Sequence, residues 1–497
     1  MNSRAADPAR LTVVDEIFLR THRGLGTPIA LQGLWRTADR VEAALLADLH
    51  ARLRGGALGR RIARPRVPGA RRYWLPTIRA HPLDLGAELA STELLDWADT
   101  LGADLDPEYG PGWRLAAAPV ADGGTVIALT CSHVLADARG LLIAVDTALG
   151  GHTPATDTAI RPGSDWADAY RQIVTVLRGT AAAVGAGSAR MASRTATAAT
   201  RGRAESRPGA AVPDLAATLR RHRAHPRIES GDHPADVLRS GTRPAAVPKT
   251  AAVRADRSDD ADRCGPKHRS PHHAERIGGL DASVPPVGVV LRIRADDVDR
   301  AATESDATPN GLFIWFVANT LWASGFRRPV IEAALPVDTR DEPRVDNDLA
   351  MTSITITPTD SPADIRAKSR AAYAHRMTSP AGLPEQTLHL VPDRLAYAMH
   401  RGAGERDILC SNIGALPPSL HTFGPHVCTG IAARAIHPGL TFARRPRTRL
   451  SGYLSRTPDT YTLALVGLDP DLIPTSAALH QCADDTARRL DLTIGSW

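Results

Sequence analysis

"TVIALTCSHVLADARGLLIAVDTAL", residues 125–149, decides how this chain is read. "TVIALTCS" is apolar and partly β-branched, the composition of a buried strand ending near Ser132. "GLLIAVDTAL" carries the apolar spacing of a helix. His133 and Asp137 fall on the connection between the two, a place where side chains can face a cleft. Two local readings stay open. His133 is a catalytic base that Asp137 helps to hold, or the pair makes a turn in which Asp137 caps the helix, worth about 1 kcal/mol.

Working outward, 497 residues exceed what one hydrophobic core usually serves, so two domains are expected. Hydrophobic residues at 43% and charged residues at 23% are those of an ordinary soluble globular chain, able to build cores without disulfides. The net charge of +6 is carried almost wholly by arginine; Lys249, Lys267 and Lys368 are the only lysines. The basic residues are scattered apart from short runs such as "RRHRAHPR" and "ARRPRTR", a pattern of solvated faces that argues against nucleic acid as a partner. An anionic small ligand such as a CoA fits the same charge. Cys131, Cys264, Cys410, Cys428 and Cys482 are odd in number and form no CxxC, as expected of reduced cysteines in a cytoplasmic protein. "MNSRAADPARLTVVDEIFL" has no signal-peptide core, and "GLFIWFVANTLWASGF" is short for a bilayer span, so it reads as a buried helix. Peripheral membrane contact stays open.

Up to residue 185 strand-like "IALQGLW" and "TVIALTCS" alternate with helix-like "RVEAALLADLHARL" and "DWADAYRQIVTVLRG", the ingredients of an α/β lobe. Residues 186–285 are rich in Ala, Arg, Pro, Gly and Ser with few large apolar side chains. They read as a largely disordered linker, interrupted by a short helix around "PDLAATLRRHRAH". Cys264, His268, His272 and His273 in that stretch match no familiar zinc module, so no metal is expected. Over 286–497 the strands "VGVVLRI", "PVIEAALPV", "MTSITITP", "DILCSN" and "YTLALVGL" precede a helix through "PTSAALHQCADDTARRLDL", giving a second α/β lobe.

"SHVLADARG" resembles the HHxxxDG motif of the CoA-dependent acyltransferase superfamily, which includes chloramphenicol acetyltransferases and peptide-synthetase condensation domains. The resemblance is nearest to the bacterial wax ester synthase/diacylglycerol acyltransferase family, and five further segments follow that family's order. "LTVVDEIFLRTHRGLGTPIALQGLW" is similar to its opening strand, where an Asp precedes a hydrophobic trio. "GPGWRL" stands at its Pro-Leu-Trp motif, and "ATPNGLFIWFVANTLW" resembles the helix that begins with Asn-Asp. "LPVDTRDEPRVDNDLA" is similar to its Pro-Val-x-x-Arg segment followed by an Asn, and "CSNIGALP" to its Ser-Asn strand. The departures are Ser132 for the first His, Ala138 for the Gly (with Gly140 two residues on), Gly112 in Pro111–Trp113, and Gly311 after Asn310.

The resemblance implies two chloramphenicol-acetyltransferase-like α/β lobes in one chain, a monomer with an internal pseudo-dimer. Its active site would be a tunnel at the lobe interface. It implies that His133 is the general base and that Asp137 is structural, paired with an Arg for which Arg340 is the candidate. It points to Asn310, Ser411 and Asn412 for the oxyanion and substrate, and to Trp113 as a core or tunnel-wall aromatic. Each has a plainer reading: Asn310 as a first-turn residue behind Thr308 and Pro309, Ser411 and Asn412 as a strand end, Arg340 as a solvated arginine. Cys131, two residues from His133, reads as an inert buried thiol. The implied function is acyl transfer from acyl-CoA, a co-substrate, to an acceptor hydroxyl, with no cofactor. The alternatives are transfer to an amine or from a carrier-protein thioester, and a non-catalytic member that binds an acyl chain or a partner.

Overall fold

Alternating and helical spacings sort the described residues into two large mixed sheets and one two-stranded ribbon, with helices packed on them. The computed structural model describes residues 10–25, 27–150, 164–181, 282–374, 386–394 and 405–497. The helix read at "PDLAATLRRHRAH", the Cys264–His273 group and the linker up to residue 281 lie outside the described residues. Residues 282–285 are packed: Ser283 bridges Thr441, and the Val284 amide donates to the Leu440 carbonyl at 2.8 Å.

The N-terminal half runs α1 (Val13–His22), β1 (Ala30–Thr37), α2 (Ala43–Gly55), β2 (Arg60–Ala63), β3 (Tyr73–Pro76) and β4 (Asp84–Leu85). It continues with α3 (Leu94–Asp99), β5 (Trp113–Pro119), β6 (Thr125–Ser132), α4 (Ala138–Leu149) and α5 (165–181). The C-terminal half runs β7 (Val287–Arg294), α6 (Ala295–Glu304), α7 (Pro309–Ala323), β8 (Ile331–Asp338), β9 (Leu349–Ile356), α8 (Pro362–Ala374) and α9 (Thr387–Leu390). It ends with β10 (Ile408–Ala415), β11 (Thr422–Phe423), β12 (His426–Ile436), β13 (Leu450–Arg456), β14 (Thr460–Gly467), α10 (Ser476–Arg488) and β15 (Gly495–Ser496). The first sheet has the order β11-β12-β1-β6-β5-β4, the second β15-β7-β14-β13-β10-β8-β9.

β6 is buried along its whole length at the centre of the first sheet, which is why its sequence is apolar without alternation. α7 has no polar face: every residue from Gly311 to Leu321 is buried, as expected for a helix apolar on all sides. Thr308 caps it, accepting from the Gly311 amide at 3.1 Å, and Pro309 occupies the first turn. Among the described residues no helix is long and apolar enough to cross a membrane.

Two features differ from the sequence reading. The stretch compared with an opening strand is a helix over Val13–His22, and a strand begins only at Ala30. The reason is local: Thr12 and Asp15 form a capping box, Thr12 Oγ1 accepting from the Asp15 amide at 3.0 Å and Asp15 Oδ2 from the Thr12 amide at 2.8 Å. Asp15, Glu16, Leu19 and Arg20 then bury one helical face. Secondly, β11 and β12 belong to the C-terminal half of the chain but extend the first sheet, with β12 antiparallel to β1. β12 was illegible because Arg434 interrupts its apolar run. That arginine is buried, held by Gln32 Oε1 at 3.0 Å and by Asp99 at 2.7 Å.

Candidate active site

β6 delivers His133 to the seam between the two halves. The strand ends at Ser132, the Leu135 amide closes a turn on the Ser132 carbonyl at 2.9 Å, and α4 begins at Ala138. The imidazole stacks on Phe18 of α1, with ring centres 3.6 Å apart and planes 17° apart. On the other half, its Nδ1 lies 3.2 Å from Oδ1 of Asn347, in the loop before β9.

Asn347 is 1% exposed and fully engaged. Its Nδ2 donates to Asp15 Oδ1 at 2.8 Å, to the His133 carbonyl at 2.9 Å and to the Val134 carbonyl at 3.1 Å. Three acceptors around the amide nitrogen leave its oxygen facing the imidazole. An amide oxygen can only accept, so His133 Nδ1 carries the proton and Nε2 keeps its lone pair. Burial pushes the imidazole pKa below its ordinary value, against its own carbonyl, Asp137 and Asn347. A neutral imidazole with a free Nε2 lone pair can take a proton from a nucleophile.

Asp137 meets both of its local readings at once. Its Oδ1 caps α4, accepting from the Gly140 amide at 2.8 Å, and also accepts from Arg340 Nη2 at 2.6 Å. Its Oδ2 accepts from the Asp348 amide at 3.0 Å. Both side chains of the pair are 5% exposed. Burial works against the Arg340 charge, but the Asp137 and Asp338 carboxylates outweigh it and hold the guanidinium pKa above its ordinary value. Arg340 also donates through Nε to the Arg344 carbonyl at 2.9 Å, so it ties the loop after β8 to the turn that carries His133. Gly140 permits this approach: a Cβ there would sit 2.3 Å from the Val345 carbonyl oxygen. Arg60 is a second clamp, donating to the Leu135 carbonyl at 2.5 Å and pairing with Asp346 at 2.6 Å.

The remaining sequence-derived residues fall elsewhere. Trp113 is 1% exposed, opposite Cys131 in the sheet register and tilted against His50 at 5.2 Å; it is part of the core. Burial pushes the Cys131 thiol up to about 12, so it stays protonated. Asn412 Nδ2 donates to Asn310 Oδ1 at 2.9 Å, and Asn310 Nδ2 to the Tyr373 hydroxyl at 3.0 Å. Ser411 pairs with Tyr453 in the β10–β13 ladder. No hydrogen bond among the described residues joins this asparagine pair to His133. Ser132, where the motif has its first His, is buried in the sheet, with the Val134 amide 3.4 Å from its Oγ.

Sequence reasoning gave no role to Asn347, Asp15, Phe18, Arg60 or His437. Ala30 faces Ile436 on one side and Ser132 on the other, so His437 and His133 each stand one residue beyond a shared row. Two strand spacings, about 10 Å, separate their backbones. His437 Nδ1 lies 2.8 Å from the Pro28 carbonyl, which leaves Nε2 unprotonated and without a hydrogen-bond partner. Burial pushes the His437 pKa down to about 4. A cavity of about 450 Å³ bounded by Glu16, Arg23, Arg71, Arg72 and His389 is not lined by His133. Its arginines are spent on carboxylates, Arg23 on Glu108 at 2.5 Å and Arg71 on Asp168 at 2.7 Å.

No family model and no curated protein matches the sequence. Solved structures do match the fold. The first condensation domain of the CDA synthetase aligns over 98% of this chain and 96% of its own, with a TM-score of 0.52 at 13% identity. The first condensation domain of the calcium-dependent antibiotic synthetase, in complex with a substrate analogue, aligns over the same shares at 0.51 and 14%. The nonribosomal peptide synthetase FmoA3 aligns over 99% of this chain but 45% of its own, at 0.50 and 15%. The chain therefore has the two-lobed α/β fold of condensation domains.

Proposed function

We propose that this protein transfers an acyl group from a thioester to a nucleophile, with His133 as general base. The carrying observation is the setting of the imidazole: buried, with its pKa pushed below the ordinary value and Nδ1 3.2 Å from the amide oxygen of Asn347, an arrangement that leaves Nε2 to act as the base. The nucleophile's proton moves to Nε2 as its heteroatom attacks the thioester carbonyl. The tetrahedral intermediate then expels the thiolate, which takes the proton back from the imidazolium. No acyl-enzyme is required, and proximity of the two substrates supplies much of the rate. Asp137 and Arg340 hold the loop and touch no reacting atom. Asn310 and Asn412 are candidates for steadying the oxyanion or the substrate chain.

For the donor, a carrier-protein thioester is the favoured reading, supported by fold similarity to condensation domains along nearly their whole length. The second reading, acyl-CoA to a hydroxyl as in wax ester and diacylglycerol synthesis, is supported by the order of motifs around His133, Asn310 and Asn412.

The test supplies purified protein with acyl-CoAs in one arm and acyl-phosphopantetheinyl carrier proteins in the other. Each arm receives mixed alcohols and amines, and products are read by mass spectrometry. Product in the carrier arm supports the first reading, and product in the CoA arm the second. His133→Ala is expected to lower kcat by about 10²–10⁴-fold. Equal product from wild type and His133→Ala would end the catalytic claim.

A further inference from the structure

Behind the Asn347 amide sits a second buried carboxylate. Asp15 is 0% exposed, yet its nearest hydrogen-bond partners are amides rather than a cation. Its Oδ1 accepts from Asn347 Nδ2 at 2.8 Å and lies 3.4 Å from the Asn347 backbone amide, while Oδ2 accepts from the Thr12 amide at 2.8 Å. Thr12 Oγ1 in turn donates to the Asn347 carbonyl at 3.3 Å. The capping box of α1 thus grips Asn347 from two sides, and the same helix brings Phe18 against the imidazole. A helix cap needs only an exposed Asp or Glu. Burying this one completely costs desolvation free energy that capping does not explain.

We infer that Asp15 is a positioning residue for His133 and acts through Asn347, so that His133, Asn347 and Asp15 form one hydrogen-bonded relay. The inference rests on the reading of His133 as the base. An acceptor behind the amide nitrogen fixes which end of Asn347 faces the imidazole. The amide oxygen then fixes the tautomer, which is the work a carboxylate does directly in a Ser-His-Asp triad. Placing the carboxylate one residue further back keeps full negative charge off the imidazole. His133 is thereby held as a weak, neutral base.

The relay has an electrical signature. Burial, then Asp346, pushes the Asp15 pKa up to about 7, opposed by Thr12, Asn347 and Arg60. Asp137 and His437 are the other titratable groups that bear on His133. His437 titrates at about 4, well below Asp15, so it leaves the neutral range clear. Ionisation of Asp15 near neutrality should therefore be felt at His133 through the amide.

The experiment uses full-length protein labelled with ¹⁵N-histidine, with the His133 signals assigned from His133→Gln. Wild type is expected to show the Nδ1–H tautomer and a second inflection in the His133 shifts near pH 7. In Asp15→Asn the inflection should vanish, and kcat should fall about 10–100-fold with KM little changed, the scale by which loss of a hydrogen-bond partner behind a metal-binding imidazole lowers activity. Asn347→Leu should lose both the inflection and the tautomer preference with Asp15 still present. A folded Asp15→Asn protein that keeps the inflection and the rate overturns the inference. So does a wild-type titration with no inflection near pH 7, which needs no variant to fold. If no substrate is ever turned over, the proposed function fails, while the spectra still decide the relay.

Discussion

Two buried aspartates flank the turn that carries His133, and they are satisfied in opposite ways. Asp137 meets a guanidinium and two backbone amides, so its charge is fully matched. Asp15 meets only amides, has Asp346 nearby, and is pushed up to about 7. The matched carboxylate behaves as a rivet: it joins the start of α4 to the loop after β8. The unmatched one can change charge where the protein works. A carboxylate bound for strength is paired with arginine; one that can tune its neighbour is left with dipoles.

Breaking the rivet should have the largest effect. Arg340→Ala leaves Asp137 buried without its cation and is expected to cost about 3–5 kcal/mol in denaturant unfolding, with loss of transfer activity. An unchanged midpoint would show that the turn does not depend on the pair.

The Asp15 site should show itself in the pH dependence of stability. A folded-state pKa raised from 3.8 to about 7 stabilises the fold fully below the unfolded value. That contribution is lost as pH rises through about 7. Wild type should therefore lose about 2–4 kcal/mol between pH 4 and pH 7 that Asp15→Asn does not lose, read as the difference between two unfolding series. Parallel series would remove the contrast between the two aspartates.

Gly140→Ala probes the rivet by space rather than charge. The new Cβ meets the Val345 carbonyl oxygen at 2.3 Å, so a cost of about 1–3 kcal/mol is expected, with the Arg340 loop displaced. Ser132→Ala should do least. Its Oγ makes one long contact of 3.4 Å, so stability within about 0.5 kcal/mol and kcat within about twofold are expected. A large effect on rate with the fold intact would give the serine a part in the chemistry.

Legibility from sequence followed the range of the interactions. β6, α4, α7 and α10 carry their signals in local periodicity and caps, and "TVIALTCS" matches the observed strand residue for residue. The pairing of Arg340 with Asp137 spans 203 positions, and no periodicity encodes it; the motif resemblance alone named both residues. Asn347 lay inside a quoted motif but received no role, because its contacts run to Asp15 and to the 133–134 backbone, both distant in sequence. α1 was compared with a strand because "LTVVDEIFL" resembles the family's opening strand, in which an Asp precedes a hydrophobic trio. The Thr12–Asp15 capping box decides it, and that signal was present in the sequence.

The passage of β12 into the first sheet has a consequence for how the molecule can be divided. Neither half of the chain owns the sheet that ends at His133: β1 hydrogen-bonds to β6 on one side and to β12 on the other. A fragment stopping before residue 286 would present β1 as an open edge, a template for self-association. Supplied as a separate polypeptide, the remainder would have to dock β12 along that edge before His133 and Asn347 could meet. Split in this way, the protein becomes an obligate heterodimer whose reconstitution reports on a single strand.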